Sequence, residues 1–252
     1  MLKLRKEENG RPLLVGHRGA MDAAPENTLA SLEAGRAGGA DILEIDAQLT
    51  ADGQVILFHD YDLAAKTGVS GAVHQFSAAF LQSLDVGAWF DESFAGERMP
   101  LLAEALAWAH GRIPLMIELK HGPVFNPALD EQVTHLVERH NMVNEVILIS
   151  FDQFALRRVK KMNPNLAAGL IFTGRLCNPL SITNGAPVDA LSPATNLLTR
   201  AEVETIRNAG YACSPGGFYW NYEELLDWGV DTVSSNNPAE TRPLLDKLLR
   251  DA

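Results

Sequence analysis

The feature that most constrains this chain is the alternation of short apolar runs with amphipathic stretches of helical periodicity. This alternation predicts parallel strands whose connecting helices pack outside one sheet. The predicted strands cover residues 13–16, 42–49, 55–58, 115–119, 146–149, 167–172, 188–191, 211–213 and 232–233. These nine candidates are one more than a (β/α)₈ barrel needs, and 252 residues is a usual length for such a barrel. Because no linker, low-complexity segment or internal repeat interrupts the pattern, we predict one α/β barrel domain over residues 1–252.

The surplus strand belongs to a predicted hairpin arm near the second strand. Asp52-Gly53 separates two apolar runs, and this dipeptide favours a tight turn with positive φ at both central residues. A turn centred on these two residues would place Asp46 opposite His59. Glu44 lies two residues before Asp46 and would share its face, because side chains alternate along a strand. The register therefore predicts two carboxylates and an imidazole on one face.

Composition and charge exclude several classes of protein. Hydrophobic residues make up 46% and charged residues 21%, which is ordinary for a globular protein and not for a disordered or collagen-like chain. The net charge of −11 and the lack of a basic tract argue against nucleic-acid binding. The two cysteines, Cys177 and Cys213, show no metal-binding spacing and are too few for a disulfide scaffold. Without an apolar signal segment or a run of 18 apolar residues, we expect a cytoplasmic protein with no transmembrane segment. The sequence leaves a homo-oligomer open.

Chemically active side chains stand at or near the ends of the first four predicted strands. His17 and Arg18 follow the first strand, where catalytic groups of α/β barrels lie. A histidine can transfer protons near neutral pH, and the arginine fork matches phosphate geometry. His59 ends the third strand. A local structural role, such as capping a helix or ending a strand, is the alternative for each histidine.

Three carboxylates on these strands suggest a cation site. Glu44 and Asp46 would repel each other on one face unless a cation or proton intervened, and oxygen ligands suit Mg²⁺ or Ca²⁺. Glu118 and Lys120 lie two residues apart on the fourth strand and therefore face the same side. Glu118 is a candidate third ligand, while Lys120 could hold an anion. Solvated strand faces are the structural alternative. Two imidazoles, two cations and three carboxylates together suit the cleavage of a phosphoester.

Two further segments are ambiguous by themselves. Asn27 lies in Pro25-Glu26-Asn27-Thr28, which is sufficiently explained as the start of a helix, although its amide could reach a ligand. The glycine-led aromatic segment 216–222 would either line a ligand pocket or pack over the end of the barrel.

In combination, these motifs resemble the glycerophosphodiester phosphodiesterases, a TIM-barrel family related to the phosphoinositide phospholipases C. The matching residues are His17-Arg18-Gly19, Pro25-Glu26-Asn27-Thr28, Glu44-Ile45-Asp46-Ala47-Gln48-Leu49-Thr50-Ala51-Asp52-Gly53, His59-Asp60, Pro100-Leu101-Leu102-Ala103-Glu104 and Glu118-Leu119-Lys120. The resemblance is good over the first half of the chain and looser over the second. Segment 61–99 corresponds to a family insertion that covers the barrel mouth and helps to set substrate choice.

The resemblance also implies roles for individual residues. Glu44, Asp46 and Glu118 match the ligands of a divalent metal, either Mg²⁺ or Ca²⁺. His17 and His59 match a general acid/base pair. Arg18 and Lys120 match groups that bind phosphate, and Asn27 matches a polar position near the metal or phosphate.

The implied reaction is the hydrolysis of a small-molecule glycerophosphodiester, such as glycerophosphocholine, to sn-glycerol 3-phosphate and an alcohol. One histidine would deprotonate the glycerol 2-hydroxyl, whose oxygen attacks phosphorus, and the other would protonate the leaving alcohol. Water would then open the cyclic phosphate. A lysophospholipase D or lipid-directed lyase, and a non-catalytic protein that binds a phosphate ligand, are the alternatives.

The second half departs from the family pattern at three places. Trp220-Asn221 matches only part of a Trp-Thr-Val-Asn stretch, and on that partial match we assign Trp220 to the substrate site. Ser235-Asn236 stands where Thr-Asp is usual, and Ser192-Pro193 where His-Pro is common. None of these coincides with the five residues assigned to metal binding and proton transfer, and we expect them to bear on the preference for the leaving group.

Overall fold

The computed structural model describes residues 1–122, 124–217 and 221–251 and contains one nine-stranded sheet. Its strands are β1 (Leu13–Gly16), β2 (Ile42–Leu49), β3 (Val55–Leu57), β4 (Leu115–Leu119), β5 (Val146–Ser150), β6 (Ala167–Phe172), β7 (Ala190–Pro193), β8 (Ala212–Cys213) and β9 (Thr232–Ser235). Eight strands pair in parallel in the order β8-β7-β6-β5-β4-β2-β1-β9, and β3 pairs only with β2. The predicted barrel with its extra hairpin arm is confirmed.

The sheet curves until its two ends nearly meet. Between β8 and β9, the Asp231 amide donates to the Cys213 carbonyl at 2.9 Å, and the hydroxyls of Ser214 and Thr232 lie 2.7 Å apart. These contacts join the two edge strands and complete a nearly closed (β/α)₈ barrel.

Ten helices connect and flank the strands of the described chain. They are α1 (Lys6–Asn9), α2 (Leu29–Ala37), α3 (Ala64–Thr67), α4 (Ala78–Leu81), α5 (Leu102–Ala109), α6 (Ala128–Arg139), α7 (Gln153–Met162), α8 (Arg200–Asn208), α9 (Tyr222–Trp228) and α10 (Pro238–Asp251). In the described residues, no helix is both long and apolar enough to cross a membrane.

Side-chain alternation divides the core between the two faces of the sheet. Leu43 and Ile45 of β2 point outward and pack under the helices, whereas Ile42 points into the barrel with Val15 and Met116. Glu44 has the parity of Ile42 and therefore also points inward. Because β2 lies between β1 and β4, its acidic face is buried in the barrel instead of lying at a solvated edge.

The hairpin is present, but its predicted register is wrong by one residue. Ala47 pairs with Leu57 and Leu49 with Val55, and Asp46 is opposite Phe58, whose amide donates to the Asp46 carbonyl at 3.0 Å. The turn is longer than a two-residue Asp-Gly turn, since the Thr50 amide donates to the Gln54 carbonyl at 2.9 Å. Gly53 has a φ of 76°, but Asp52 does not have a positive φ.

Side chains explain the longer turn. The Thr50 hydroxyl donates to the Asp52 carboxylate at 2.6 Å and accepts from the Gln54 amide at 3.0 Å. His59 consequently follows the end of β3, and it does not reach the acidic residues through strand pairing.

The insertion has its own small core against β3. Leu63, Val73, Leu81 and Met99 pack with Ile56 and Phe58. Helices α3 and α4 and two short 3₁₀ segments, Val73–Gln75 and Glu92–Phe94, supply these residues or flank them. The insertion is therefore fixed to the barrel as a packed element.

A close approach of backbone segments follows β1. Gly19 has a φ of 90°, and a Cβ there would lie 2.5 Å from the Ser31 carbonyl carbon. The Ser31 hydroxyl is already fixed, because it donates to the Arg18 carbonyl and accepts from the Ala20 amide, each at 2.8 Å. The turn carrying His17 and Arg18 is thereby held against α2.

We expect Gly19→Ala to lower the free energy of unfolding by about 2–4 kcal/mol, because it adds steric overlap to backbone strain. Gly10→Ala is the matched control: Gly10 has a φ of 74°, and a Cβ there would meet nothing within 4 Å, so strain alone costs about 1 kcal/mol. Urea unfolding measures both values. Equal losses would contradict the close packing at Gly19.

Candidate active site

The three predicted metal ligands converge at the carboxyl ends of β2 and β4. Glu44, Asp46 and Glu118 each offer an oxygen, and these oxygens lie within 4.8 Å of one another. Strand pairing produces this arrangement, because Asp46 is the register partner of Glu118 and Glu44 precedes Asp46 on the same face. Glu44 and Asp46 are buried, and the Glu118 side chain is 13% exposed.

Two cations approach the carboxylates from adjoining elements. The Arg18 amide donates to Glu44 at 2.9 Å, and Arg18 Nε lies 3.4 Å from Asp46. Lys120 Nζ lies 3.1 Å from Glu118 and 3.4 Å from Asp46. The predicted phosphate-binding cations thus border the acidic cluster.

Burial and the charges of neighbouring groups give the three carboxyl groups different pKa values. Burial raises the pKa of Glu44 well above its ordinary value, and the charges of Asp46 and Glu118 raise it further. Burial and the charge of Asp46 likewise raise the pKa of Glu118 to about 7. For Asp46, burial acts upward, but Lys120, Arg18 and His59 outweigh it and lower the pKa to about 2.

Asn27 is bound to this cluster. Its amide nitrogen donates to the Asp46 carboxylate at 2.8 Å, and its amide oxygen accepts from the Asp46 backbone at 2.9 Å. Asn27 has a φ of 59°, which an asparagine tolerates better than most residues, and it is 2% exposed. Its contacts show that it orients Asp46, while its predicted contact with substrate stays a prediction.

His17 lies in the same cavity and has a partner from the last strand region. Its Nδ1 lies 2.8 Å from the Asn236 side-chain oxygen. Burial and the neighbouring Arg18 lower the pKa of His17. The Ser235-Asn236 departure therefore lies against His17, while its predicted effect on the leaving group stays a prediction. An amide, in place of the acid that is usual in the family, contacts a predicted proton-transfer group.

His59 is paired with a carboxylate. Its Nδ1 lies 2.8 Å from Asp60 Oδ1. Burial lowers the pKa of His59, although the charge of Asp46 opposes this effect. Because Nδ1 is engaged, Nε2 is the ring nitrogen available to a ligand.

These groups share a cavity of about 250 Å³ at the carboxyl ends of the strands. Its polar side contains His17, Glu44, His59, Glu118 and Lys120. Its other side is mainly apolar or small, and includes Met116, Ile149, Phe151, Ile171 and Phe172. A larger cleft of about 600 Å³, lined partly by α9 and α10, contains none of the predicted groups.

Two predictions about the cavity wall have different outcomes. The described lining contains no residue from 61–99, and the expectation that the insertion covers the mouth stays a prediction. Gly216 and Gly217 line the cavity, as one interpretation of segment 216–222 predicted. Trp220 lies outside the described residues.

Sequence reasoning missed Asn236 as a partner of His17, although its replacement of a family acid was visible. It also assigned no role to Asp60, despite its position beside His59. Both residues act on a predicted catalytic side chain, which is why a search for reactive groups alone passes over them.

Comparison with known proteins places this barrel and site in a class. Residues 17–240 match the profile of the Glycerophosphoryl diester phosphodiesterase family. A glycerophosphodiester phosphodiesterase from Caldanaerobacter subterraneus subsp. tengcongensis is 32% identical over 235 residues, covering 90% of this chain and 95% of that protein. One from Bacillus subtilis is 30% identical over 252 residues, covering 90% and 84%.

A solved structure shares the whole fold. The Oleispira antarctica phosphodiesterase in complex with the product sn-glycerol-3-phosphate superposes with a TM-score of 0.87 at 27% identity, covering 95% of this chain and 98% of that one. The fold and site therefore define a barrel phosphodiesterase. The chain belongs to the glycerophosphoryl diester phosphodiesterase family and is an enzyme with glycerophosphodiester phosphodiesterase activity.

We expect Glu118→Gln to change how stability depends on pH when a chelator is present. The folded pKa of about 7 exceeds the ordinary value of 4.5, so the stability gained by protonating Glu118 is full below the lower value and lost as pH rises through the higher one. Glu118→Gln cannot lose this contribution. Relative to wild type, its free energy of unfolding should therefore rise by on the order of 2 kcal/mol between pH 5 and pH 8.5.

Thermal unfolding at several pH values in EDTA measures this difference. The histidines make stability depend on pH in the opposite direction, but they do so equally in wild type and variant. The difference between the two proteins therefore removes their contribution. Glu131→Gln, on an exposed position of α6, controls for the loss of one carboxylate. Parallel stability curves for wild type and Glu118→Gln would contradict the raised pKa.

Proposed function

We propose that this enzyme hydrolyses glycerophosphodiesters in a divalent-metal-dependent reaction, giving sn-glycerol 3-phosphate and an alcohol. The observation that carries the proposal is the cluster of three carboxylates with two bordering cations, of which Glu44, Glu118 and Lys120 line one cavity together with both histidines. Glycerophosphocholine and glycerophosphoethanolamine are the expected substrates.

The carboxylates fit a hard divalent ion. Glu44, Asp46 and Glu118 present only oxygen donors, which Mg²⁺ and Ca²⁺ prefer. Burial raises the pKa of Glu44 and Glu118, and so does the charge of Asp46, which the nearby cations do not fully offset. When bound, such an ion would lower the pKa of a substrate hydroxyl and offset negative charge that develops on the phosphate.

The two cations would bind the substrate phosphate. Arg18 can present its guanidinium to two phosphate oxygens, whereas Lys120 supplies a point charge. Both side chains are mostly buried, at 12% and 8% exposure, so their attraction for an anion is screened less by water than that of a surface residue.

The histidines would transfer the protons. One imidazole accepts the proton of the glycerol 2-hydroxyl as its oxygen attacks phosphorus, and the other donates a proton to the departing alcohol oxygen. Water then opens the cyclic phosphodiester to sn-glycerol 3-phosphate. Burial lowers the pKa of each histidine, which favours the neutral imidazole that the proton-accepting step needs, whereas the other imidazole must carry a proton before it can donate one.

We expect His17→Ala and His59→Ala each to lower kcat by about 10²–10⁴-fold, because each removes a proton-transfer group. A coupled assay for glycerol 3-phosphate over a panel of glycerophosphodiesters measures this effect. EDTA should abolish wild-type activity, and adding Mg²⁺ or Ca²⁺ separately should restore it and identify the preferred ion.

His135→Ala is the matched control, because His135 is exposed on α6 and remote from the cavity lining. Near-normal turnover by either cavity variant would overturn its proton-transfer role. Full activity in chelator after extensive dialysis would overturn metal dependence.

A lysophospholipase D activity is a second candidate, and the apolar side of the cavity favours it. Ile149, Ile171 and Phe172 can contact an acyl chain, and Phe151 lines the cavity while remaining 57% exposed at its edge. An amphipathic diester would place its phosphate among the cations and its chain along this wall.

If this second activity is present, Phe151→Ser should lower kcat/KM for a lysophosphatidylcholine about tenfold, with little change for glycerophosphocholine, because only the former loses apolar contact. Phe154→Ser is the matched control, since Phe154 is 64% exposed and lies outside the cavity lining. Equal changes for both substrates would count against the lipid-directed candidate.

A further inference from the structure

A buried lysine of the insertion contacts the carboxylate that holds His59. Lys66, on α3, places Nζ 3.0 Å from Asp60 Oδ2, while Asp60 Oδ1 lies 2.8 Å from His59 Nδ1. The two oxygens of one carboxylate thus bridge an ammonium group and an imidazole. A carboxylate held at both oxygens cannot rotate away from the ring.

A second carboxylate anchors the same ammonium group. Lys66 Nζ lies 2.5 Å from Glu26 Oε1, which also accepts from Arg18 at 2.9 Å. The side chains of Lys66 and Glu26 are 10% and 6% exposed. Removing either partner would leave a buried charge without its counterion, so such a removal would destabilise the folded protein.

Two aromatic rings also lie close to the lysine ammonium group. Its Nζ lies 5.4 Å from the centroids of Phe58 and Trp89, within the range of a cation–π contact. Phe58 directly precedes His59, and Trp89 belongs to the insertion. Lys66 is therefore held in place by groups from both the barrel and the insertion.

The ammonium group of Lys66 lies where the surrounding side chains could bind a cation. Glu26, His59 and Asp60 offer ligand atoms within 4.8 Å of one another, a spacing that could also hold a metal ion. Lys66 already bonds to the two carboxylates of this group. The chain thus supplies a positive charge of its own at this second acidic position.

We propose that Lys66 is a positioning residue, through which the insertion fixes Asp60 and thereby aims His59 into the active-site cavity. The hydrogen bond from Nδ1 to a fixed carboxylate sets both the tautomer and the plane of the ring, leaving Nε2 toward the substrate. Lys66 is not among the residues that line the cavity. This inference rests on the proposed proton-transfer function of His59.

The test compares Lys66→Met, Lys66→Arg and the exposed-lysine control Lys161→Met with wild type, using glycerophosphocholine as substrate. We expect Lys66→Met to lower kcat 10–100-fold with KM within about threefold, the size of effect seen when a group orienting a histidine is lost. Lys66→Arg should recover most of the loss, because it restores the cation. Lys161→Met should resemble wild type.

A double-mutant cycle shows whether Lys66 acts through Asp60. If it does, Asp60→Asn with Lys66→Met should lose no more kcat than Asp60→Asn alone. Multiplied losses would overturn the proposed route. Thermal unfolding of each variant identifies the folded fraction, and kcat is referred to that fraction, so that misfolding does not imitate the effect.

Chemical rescue provides a readout that a purely structural role would not move. Ethylammonium added to folded Lys66→Ala should raise kcat severalfold in a saturable way, whereas the same salt should not affect Lys161→Ala. Absence of rescue together with wild-type kcat in Lys66→Met would overturn the inference. If His59→Ala is itself active, the proposed proton-transfer role of His59 fails. If it is inactive while Lys66→Met is fully active, only the inference about Lys66 fails.

Discussion

Repulsion among three enclosed carboxylates is the constraint on which the rest of the site depends. Two neighbouring strands bring Glu44, Asp46 and Glu118 together, and the strand register leaves them no way to separate. Arg18 and Lys120 keep Asp46 ionised, but burial still raises the pKa of both glutamates. The fold therefore maintains a region that attracts further positive charge, and this attraction is the physical basis of the proposed binding of an ion with a phosphate beside it.

The barrel and its acidic cluster could be predicted because both follow from local patterns. Alternating apolar runs indicate the order of strands and helices, and the two-residue spacing of Glu44 and Asp46 places them on a common face. The hairpin register could not be predicted in the same way. The Asp52-Gly53 signal indicates a two-residue turn, but hydrogen bonds from Thr50 to Asp52 and Gln54 stabilise a longer one. This longer turn is enough to move His59 out of the expected pairing.

The supports of the two histidines lay beyond sequence reasoning because they depend on tertiary contacts. Asn236 is separated from His17 by 219 positions, and the pairing of β9 with β1 brings them together. Lys66 comes from a segment with no clear periodicity, and its significance appears only when Asp60 and Glu26 are seen on either side of it. Residue type and spacing identify reactive groups well. They identify less well the side chains that hold those groups, since a supporting residue needs no particular distance along the chain.

The unequal partners of the two histidines have a consequence for how the enzyme can diverge. His59 depends on an adjacent acid and on the insertion, whereas His17 depends on a neutral amide from the final strand region. Most of the apolar cavity wall also comes from β5 onward, after the last of the three acidic residues. Substitutions in the C-terminal half can therefore reshape the apolar wall without contacting the charged groups of the N-terminal half, and position 236 is an exception because its side chain contacts His17.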